Sequence, residues 1–286
     1  MTAAALLHPD VSAKAVEPYR SGSAAIKIQE SLEGPEPLDA ALIFGGDGTV
    51  HRHLPELYKR HIPMLVVPKG SGNDFAKSLG ITNRETALHA WKHFCASGGK
   101  NVREIDLGVV KSGQKEILFC CVAGAGMDSE AGARANRMPR WLRGSVGYVV
   151  AALQALAAFV PADFVVSSKG RTIRDAGFFV AVGNAHRYGS GLKITPRAAL
   201  DDGLLDVCFV GRMNKLKLLC FVPTVFFGAH LGIKEVEYFQ SPALGIESGR
   251  PLEVYADGEF ACVTPVEIGL IRRALRVIVP AQAVLH

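Results

Sequence analysis

Apolar and polar positions divide this chain into two textures. Over the first hundred residues, continuous apolar runs alternate with mixed segments. Ala40–Phe44 and Met64–Pro68 are apolar throughout, and each runs into glycines and small polar residues before a helix-like stretch. A run that is apolar at every position predicts a strand covered on both faces, and strand–helix–strand order predicts a parallel βαβ unit. From about Val102 the runs shorten and multiply: Ile105–Val110, Ile117–Val122, Phe164–Ser167, Gly177–Val182, Leu204–Val210, Leu244–Glu247, Leu252–Ala256, Val266–Leu270 and a final Leu275–Val279. Turn pairs such as Lys169-Gly170, Asp202-Gly203 and Asp257-Gly258 separate them. This pattern predicts an antiparallel sandwich or barrel, with helical insertions at 130–160 and 212–233. The expected architecture is an α/β N-terminal domain over 1–103, with glycine-rich loops at its strand ends. A mainly antiparallel β-sandwich follows over 104–273.

Composition narrows the class without deciding it. A chain of 286 residues with 49% hydrophobic and 21% charged residues is globular and toward the apolar end. The net charge is +5 with no dense Lys/Arg tract, so a nucleic-acid groove is not expected. The six cysteines form no CxxC pair and sit mostly in apolar runs, the pattern of buried reduced thiols in a cytoplasmic protein. No secretory leader is evident. Val146–Val160 and Leu218–Ile233 are the longest apolar stretches. A membrane span needs roughly twenty apolar residues, and these two are too short or too interrupted, so no transmembrane helix is expected.

Candidate chemistry gathers at the two strand ends. Gly45-Gly46-Asp47-Gly48-Thr49-Val50 places flexible backbone and successive N–H groups where a helix begins, a cradle suited to phosphate. Asp47 inside it calls for Mg²⁺, a transferable proton or a cationic partner. Gly70-Ser71-Gly72-Asn73-Asp74 follows the second strand in the same way. Right-handed crossovers bring both loops to one carboxyl edge of the sheet, where open α/β folds bind ligands.

Gly45-Gly46-Asp47-Gly48-Thr49, followed by Pro68 and Gly70-Ser71-Gly72-Asn73-Asp74-Phe75-Ala76, resembles the catalytic domain of the diacylglycerol, sphingosine and ceramide kinase superfamily, especially its soluble bacterial lipid kinases. Asp106-Leu107-Gly108, Ala123-Gly124-Ala125-Gly126-Met127-Asp128, Val182-Gly183-Asn184, Gly189-Ser190-Gly191, Pro196, Asp201-Asp202-Gly203-Leu204-Leu205-Asp206 and Asp257-Gly258-Glu259 extend the resemblance over nearly the whole chain. The first element alone is shared with NAD kinases; the combination is more specific. The resemblance implies ATP and Mg²⁺ as cofactors, a lipid alcohol of diacylglycerol-like type as acceptor and transient contact with a membrane surface. It also implies that 274–286 returns to the first domain. A homodimer is left open, and so are sphingosine- or ceramide-type substrates and a non-catalytic lipid- or nucleotide-binding protein of this fold. NAD kinase fits less well.

Phosphoryl transfer needs positioned phosphates, Mg²⁺ and a proton acceptor. Asp257 and Glu259, alternate residues of a segment read as extended, would face one centre. One would serve the metal and the other the proton. The resemblance implies that one of them is the base, with Glu259 favoured; spacing does not separate them. It further implies a structural Mg²⁺ at Asp202, with the carbonyls near Ala199 and Leu204 and with Asp106 as outer support. Two departures stand out. His8-Pro9-Asp10-Val11-Ser12 replaces the usual first phosphate loop without its glycine, and His51-Arg52 replaces Asn-Glu after the first glycine element. Arg52 is a candidate phosphate ligand or a solvent-facing helix residue. His89 and His93 are read as a solvated helix face.

Overall fold

The computed structural model describes residues 1–20, 24–70, 73–126, 160–189, 191–281 and 283. Ser71, Gly72, Met127, Asp128, Ser190, the 130–159 part of the first helical insertion and nearly all of Val146–Val160 therefore lie outside the described residues. The chain has an α/β N-terminal domain and a C-terminal β-sandwich.

Strands β1 (Thr2–Leu7), β2 (Ala25–Gln29), β3 (Ala40–Gly45) and β4 (Met64–Pro68) form a parallel sheet in the order β2-β1-β3-β4. Every residue of β3 and β4 is buried, as an apolar run between two layers requires. Helix α1 (Asp47–Arg60) buries Val50, His53, Leu54 and Leu57, one face at 3.6-residue spacing. The short helix α2 spans Asp74–Ser78. Helix α3 (Arg84–Ser97) starts at an Asn83–Thr86 capping box and ends at Gly98 in the left-handed region. The Trp91 indole N–H donates to the Tyr19 carbonyl at 2.8 Å, fastening a 3₁₀ turn (Ala13–Tyr19) over α3.

In the sandwich, β5 (Val102–Ser112) pairs with β6 (Lys115–Phe119), and β7 (Val122–Gly126) pairs with β9 (Arg171–Gly183). The long β9 also takes β8 (Ala162–Ser168) along one half and β10 (Leu205–Gly211) along the other. Next come helix α4 (Lys215–Phe227) and strands β11 (Val236–Ser241), β12 (Ala243–Ser248), β13 (Glu253–Ala256), β14 (Glu259–Val263) and β15 (Val266–Ile278). Strand β15 joins the two domains. Its first residues pair with β12, while Val277 pairs in parallel with Met64 of β4.

Several boundaries differ from the sequence reading, each for a physical reason. The run Ile117–Val122 is two strands, broken at Cys120-Cys121, whose N–H groups leave the ladder for a carboxylate described below. Val266–Leu270 and Leu275–Val279 belong to one strand with an irregularity between Ile271 and Leu275, where Arg273 has φ +50°. Strands β1, β2, β11 and β14 were not delimited by the pattern. β2, β11 and β14 are edges with a neighbour on one side only, so each carries exposed residues, and β1 is alanine-rich, a weak strand signal. Insertion 212–233 does contain a helix, α4. Among the described residues no helix is long and apolar enough to cross a membrane.

Candidate active site

The register Gly45↔Pro68 ends β3 and β4 side by side, so both glycine loops leave from one edge. They touch. A Cβ on Gly46 would stand 3.1 Å from the Gly70 Cα, and one on Gly70 would stand 2.8 Å from the Gly46 Cα. These two glycines are thus required by the crossing of the loops, a different reason from the ligand approach expected of them. Gly45 is held small by Thr49, whose Oγ1 would lie 2.3 Å from an added Cβ. Gly48 is exposed, and a Cβ added there would meet Glu259 Oε1 at 3.7 Å, an ordinary contact distance.

The phosphate cradle is smaller than the sequence suggests. The Thr49 and Val50 N–H groups already donate to the Gly46 carbonyl at 3.0 and 3.2 Å, and Val50 is core. Gly46, Asp47 and Gly48 remain as the helix-start donors. In the second loop the Asn73 side chain braces its own backbone. Its Oδ1 accepts from the Gly70 N–H at 2.8 Å, and its Nδ2 donates to the Gly70 carbonyl at 2.7 Å.

Asp47 ties the loops together. Its Oδ2 accepts the Asp74 N–H and its Oδ1 the Phe75 N–H, both at 3.0 Å, capping α2 from across the crossing. Burial and the nearby Asp74 carboxylate push the Asp47 carboxyl up to about 6, with a smaller upward push from Asp257. Buried Asp74 accepts the Gly191 N–H at 3.2 Å and lies 4.0 Å from the Lys77 ammonium. Crowded carboxylates of this kind suit a divalent cation, whose charge would relieve their repulsion.

Asp257 and Glu259 do not share one face. Ala256 pairs with Glu259 across a two-residue loop, with φ +51° at Asp257 and +86° at Gly258. Both residues of a tight hairpin turn need positive φ, and the chain reverses between the carboxylates. The Asp257 side chain is fully buried. It accepts N–H groups from Cys120 (2.7 Å), Cys121 (2.8 Å) and Val122 (3.2 Å), and meets His51 Nδ1 at 3.3 Å. Burial alone would raise its pKa. The His51 hydrogen bond and charge, with the Cys120 and Cys121 N–H groups, outweigh that and hold the carboxyl below its ordinary range. His51 responds in kind: burial pulls its pKa down, but Asp257 and then Glu259 bring it above the usual value. Glu259 is exposed, beside Gly48.

This geometry makes Asp257 the keystone of the β6–β7 break. Asp257→Ala is expected to cost about 3–5 kcal/mol of stability, because three buried N–H groups and His51 lose their acceptor together. Chemical denaturation measures it, and a loss under about 1 kcal/mol would refute the role. Arg52 is exposed on α1, and His89 and His93 are exposed on α3. The His51–Asp257 contact was missed in the sequence. The four-residue spacing puts His51 above Asp47 on α1, but its partner Asp257 lies far along the chain and left no local signal. Behind the loops, a cleft of about 570 Å³ is lined by Phe44, Val67, Tyr19 and the cations Lys14, Lys69 and Arg84. Burial and the Arg84 charge lower the Lys69 pKa. His8, at the end of β1, donates its N–H to the Phe44 carbonyl at 2.9 Å, which puts the altered first loop on the same edge.

The acidic turn lies elsewhere, at the start of β10. Asp202 is exposed, with Oδ1 accepting the Leu204 N–H at 3.0 Å. Buried Asp106 spends its oxygens on the Gly203 and Arg273 N–H groups, at 2.8 and 2.7 Å, which suits an outer support and not a direct ligand. Asp202 and the carbonyls of Ala199 and Leu204 are hard oxygen donors of the type Mg²⁺ takes. The Arg272 guanidinium, packed against Gly203, already supplies positive charge. Removal of a cation by EDTA is therefore expected to lower the wild-type melting midpoint by only a few degrees and to leave Asp202→Ala unchanged. Equal shifts in both proteins, or none in wild type, would show that the turn holds no cation.

A family model described as the diacylglycerol kinase catalytic domain matches residues 5–110, and one described as the YegS C-terminal NAD kinase beta sandwich-like domain matches 121–279. The diacylglycerol kinase of Mycobacterium tuberculosis (strain H37Rv) is 36% identical over 244 residues, covering 85% of this chain and 77% of that protein. This chain belongs to the diacylglycerol kinase catalytic domain family. As a member it is a kinase of the lipid kinase type. A probable YegS-like lipid kinase of Stenotrophomonas maltophilia is 24% identical over 272 residues, 92% of this chain and 85% of that one. Among solved structures, a putative diacylglycerol kinase from Bacillus anthracis superposes with a TM-score of 0.77 at 19% identity, covering 99% of this chain and 96% of that one. An NAD kinase from Archaeoglobus fulgidus in complex with ATP gives 0.59 at 13% identity, covering 99% and 95%. At these identities the two structures share the fold.

Proposed function

We propose that this lipid kinase transfers the γ-phosphoryl group of ATP to the hydroxyl of a diacylglycerol-like lipid, with Glu259 as general base. The observation that carries this reading is the separation of the two carboxylates. Asp257 is saturated by main-chain donors, whereas Glu259 stands exposed over Gly48, at the start of the helix that begins in the glycine loop. A base must reach the substrate hydroxyl. Glu259 takes the hydroxyl proton as the lipid oxygen bonds to the γ-phosphorus and the bond to the β-phosphate bridging oxygen breaks.

The Gly46, Asp47 and Gly48 N–H groups orient the phosphates, and the cleft of Phe44, Val67, Lys69 and Arg84 takes the rest of the nucleotide. Mg²⁺, held by Asp47 and Asp74, would neutralise charge on the transferring phosphates. His51 is held by Asp257 at 3.3 Å, and the Asp257 and Glu259 carboxylates both act to raise the pKa of its imidazole. The acceptor class rests on the Mycobacterium tuberculosis relative, whose name is diacylglycerol kinase.

Radiolabelled ATP with Mg²⁺ and a panel of lipid alcohols in mixed micelles tests the reading. Label is expected on diacylglycerol. Label on sphingosine or ceramide instead would replace the acceptor, and no label on any lipid would leave a binding protein.

A further inference from the structure

Helix α4 is apolar on both sides. Inward, it buries Leu218 (0% exposed), Phe221 (3%) and Val225 (4%), with the Phe221 ring edge-on to Phe179 and His230. Outward, it shows Leu216 (73% exposed), Leu219 (43%) and Phe227 (81%), with Cys220 and Pro223 exposed between them. Positions 216, 219, 220, 223 and 227 recur at helical spacing, so they form one stripe. A water-facing helix normally carries charge on that stripe, and a contiguous apolar one marks an interaction surface.

Two further observations say what covers it. The segment Val207–Lys234 contains Arg212, Lys215, Lys217 and Lys234 and no Asp or Glu. Lys217 is engaged by Glu235 at 2.7 Å, while Arg212 and Lys234 are exposed. The helix end is also wired to the catalytic edge. The Lys193 N–H donates to the Val225 carbonyl at 3.1 Å, and two residues earlier the Gly191 N–H donates to Asp74 at 3.2 Å. A thirteen-residue helix is about 20 Å long and about 10 Å wide, so its outer face offers roughly 200 Å². Stable protein dimers bury about 800 Å² per partner, which this face alone does not reach.

We infer that the outer face of α4 is the membrane-docking surface of this enzyme, its Leu216–Leu219–Phe227 stripe entering the interface of an anionic bilayer beside the catalytic edge. The inference rests on the lipid-kinase reading for its purpose and stands on the helix for its evidence. Apolar side chains enter the headgroup and acyl boundary, and the flanking cations meet anionic lipid. Residues 191–196 then link the docked helix to Asp74, through the Lys193 and Gly191 N–H groups, where a lipid hydroxyl must arrive.

The test uses the full chain and vesicles of phosphatidylcholine with about one-third phosphatidylglycerol. Wild type is expected to co-sediment, and the double variant Leu216→Glu/Phe227→Glu to lose at least about tenfold in partitioning, the equivalent of losing roughly 1.4 kcal/mol. Replacing phosphatidylglycerol by phosphatidylcholine should weaken wild-type binding by a similar factor. Turnover of a short-chain diacylglycerol dispersed as monomers should be unchanged in the variant, which also shows that it folds. Equal partitioning of variant and wild type would overturn the assignment. So would a wild-type dimer in analytical ultracentrifugation that the variant converts to monomer, since the stripe would then join copies of this chain. Absence of turnover on every lipid, with docking intact, would remove the kinase reading and leave the surface standing.

Discussion

Glu259→Gln is expected to lower kcat by about a hundred- to ten-thousandfold while nucleotide affinity stays within about twofold of wild type. The amide keeps the shape and removes the basic oxygen. The site tolerates the change structurally, because Glu259 is exposed at the start of an edge strand. Its thermal midpoint should therefore match wild type. Steady-state kinetics on diacylglycerol micelles and a separate ATP titration distinguish base from ligand. If ATP affinity and kcat fall together, Glu259 binds the phosphates or their metal and is not the proton acceptor.

Asp47→Asn is expected to reduce turnover by about a thousandfold or more, the scale of losing a preorganised charge from a phosphoryl-transfer site. The loss should be mainly in Mg²⁺-ATP binding and kcat, in contrast to Glu259→Gln. The amide also keeps only one oxygen for the two N–H groups of Asp74 and Phe75, so the loop crossing loosens. Protonation adds a second readout. The folded-state pKa of about 6 lies above the ordinary 3.8, so the native state holds this proton more tightly than the unfolded chain. The stability it contributes is full below about 3.8 and is lost as pH rises through about 6. In Mg²⁺-free buffer, the wild-type midpoint should fall relative to Asp47→Asn between those values and run parallel above them. A constant difference across that window would show that Asp47 is not held protonated by its neighbours.

The parts of the site legible in the sequence were those written as local motifs. Gly45–Val50 and Gly70–Asp74 are contiguous, and the runs before them end in strands that must lie in parallel if a helix connects them. Contacts that close across the chain were less legible. Asp257 and Cys120 meet although they lie far apart in sequence, and the Asp257-Gly258 turn reverses the chain where an extended segment was expected. His51 drew notice only as a departure, because its partner arrives from the other end of the protein.

The sequence by itself determined the two-domain architecture, the order of loops on the catalytic edge and the supply of carboxylates. Hydrophobic period and glycine placement are local properties that any packing of this chain must respect. Tertiary structure alone decided how each carboxylate is held. Asp47 and Asp257 are held by backbone N–H groups brought from other elements, and Glu259 is left exposed because its hairpin turns it away from them. A carboxylate's role follows from how many donors surround it and how much water remains, and both are set only when distant segments meet.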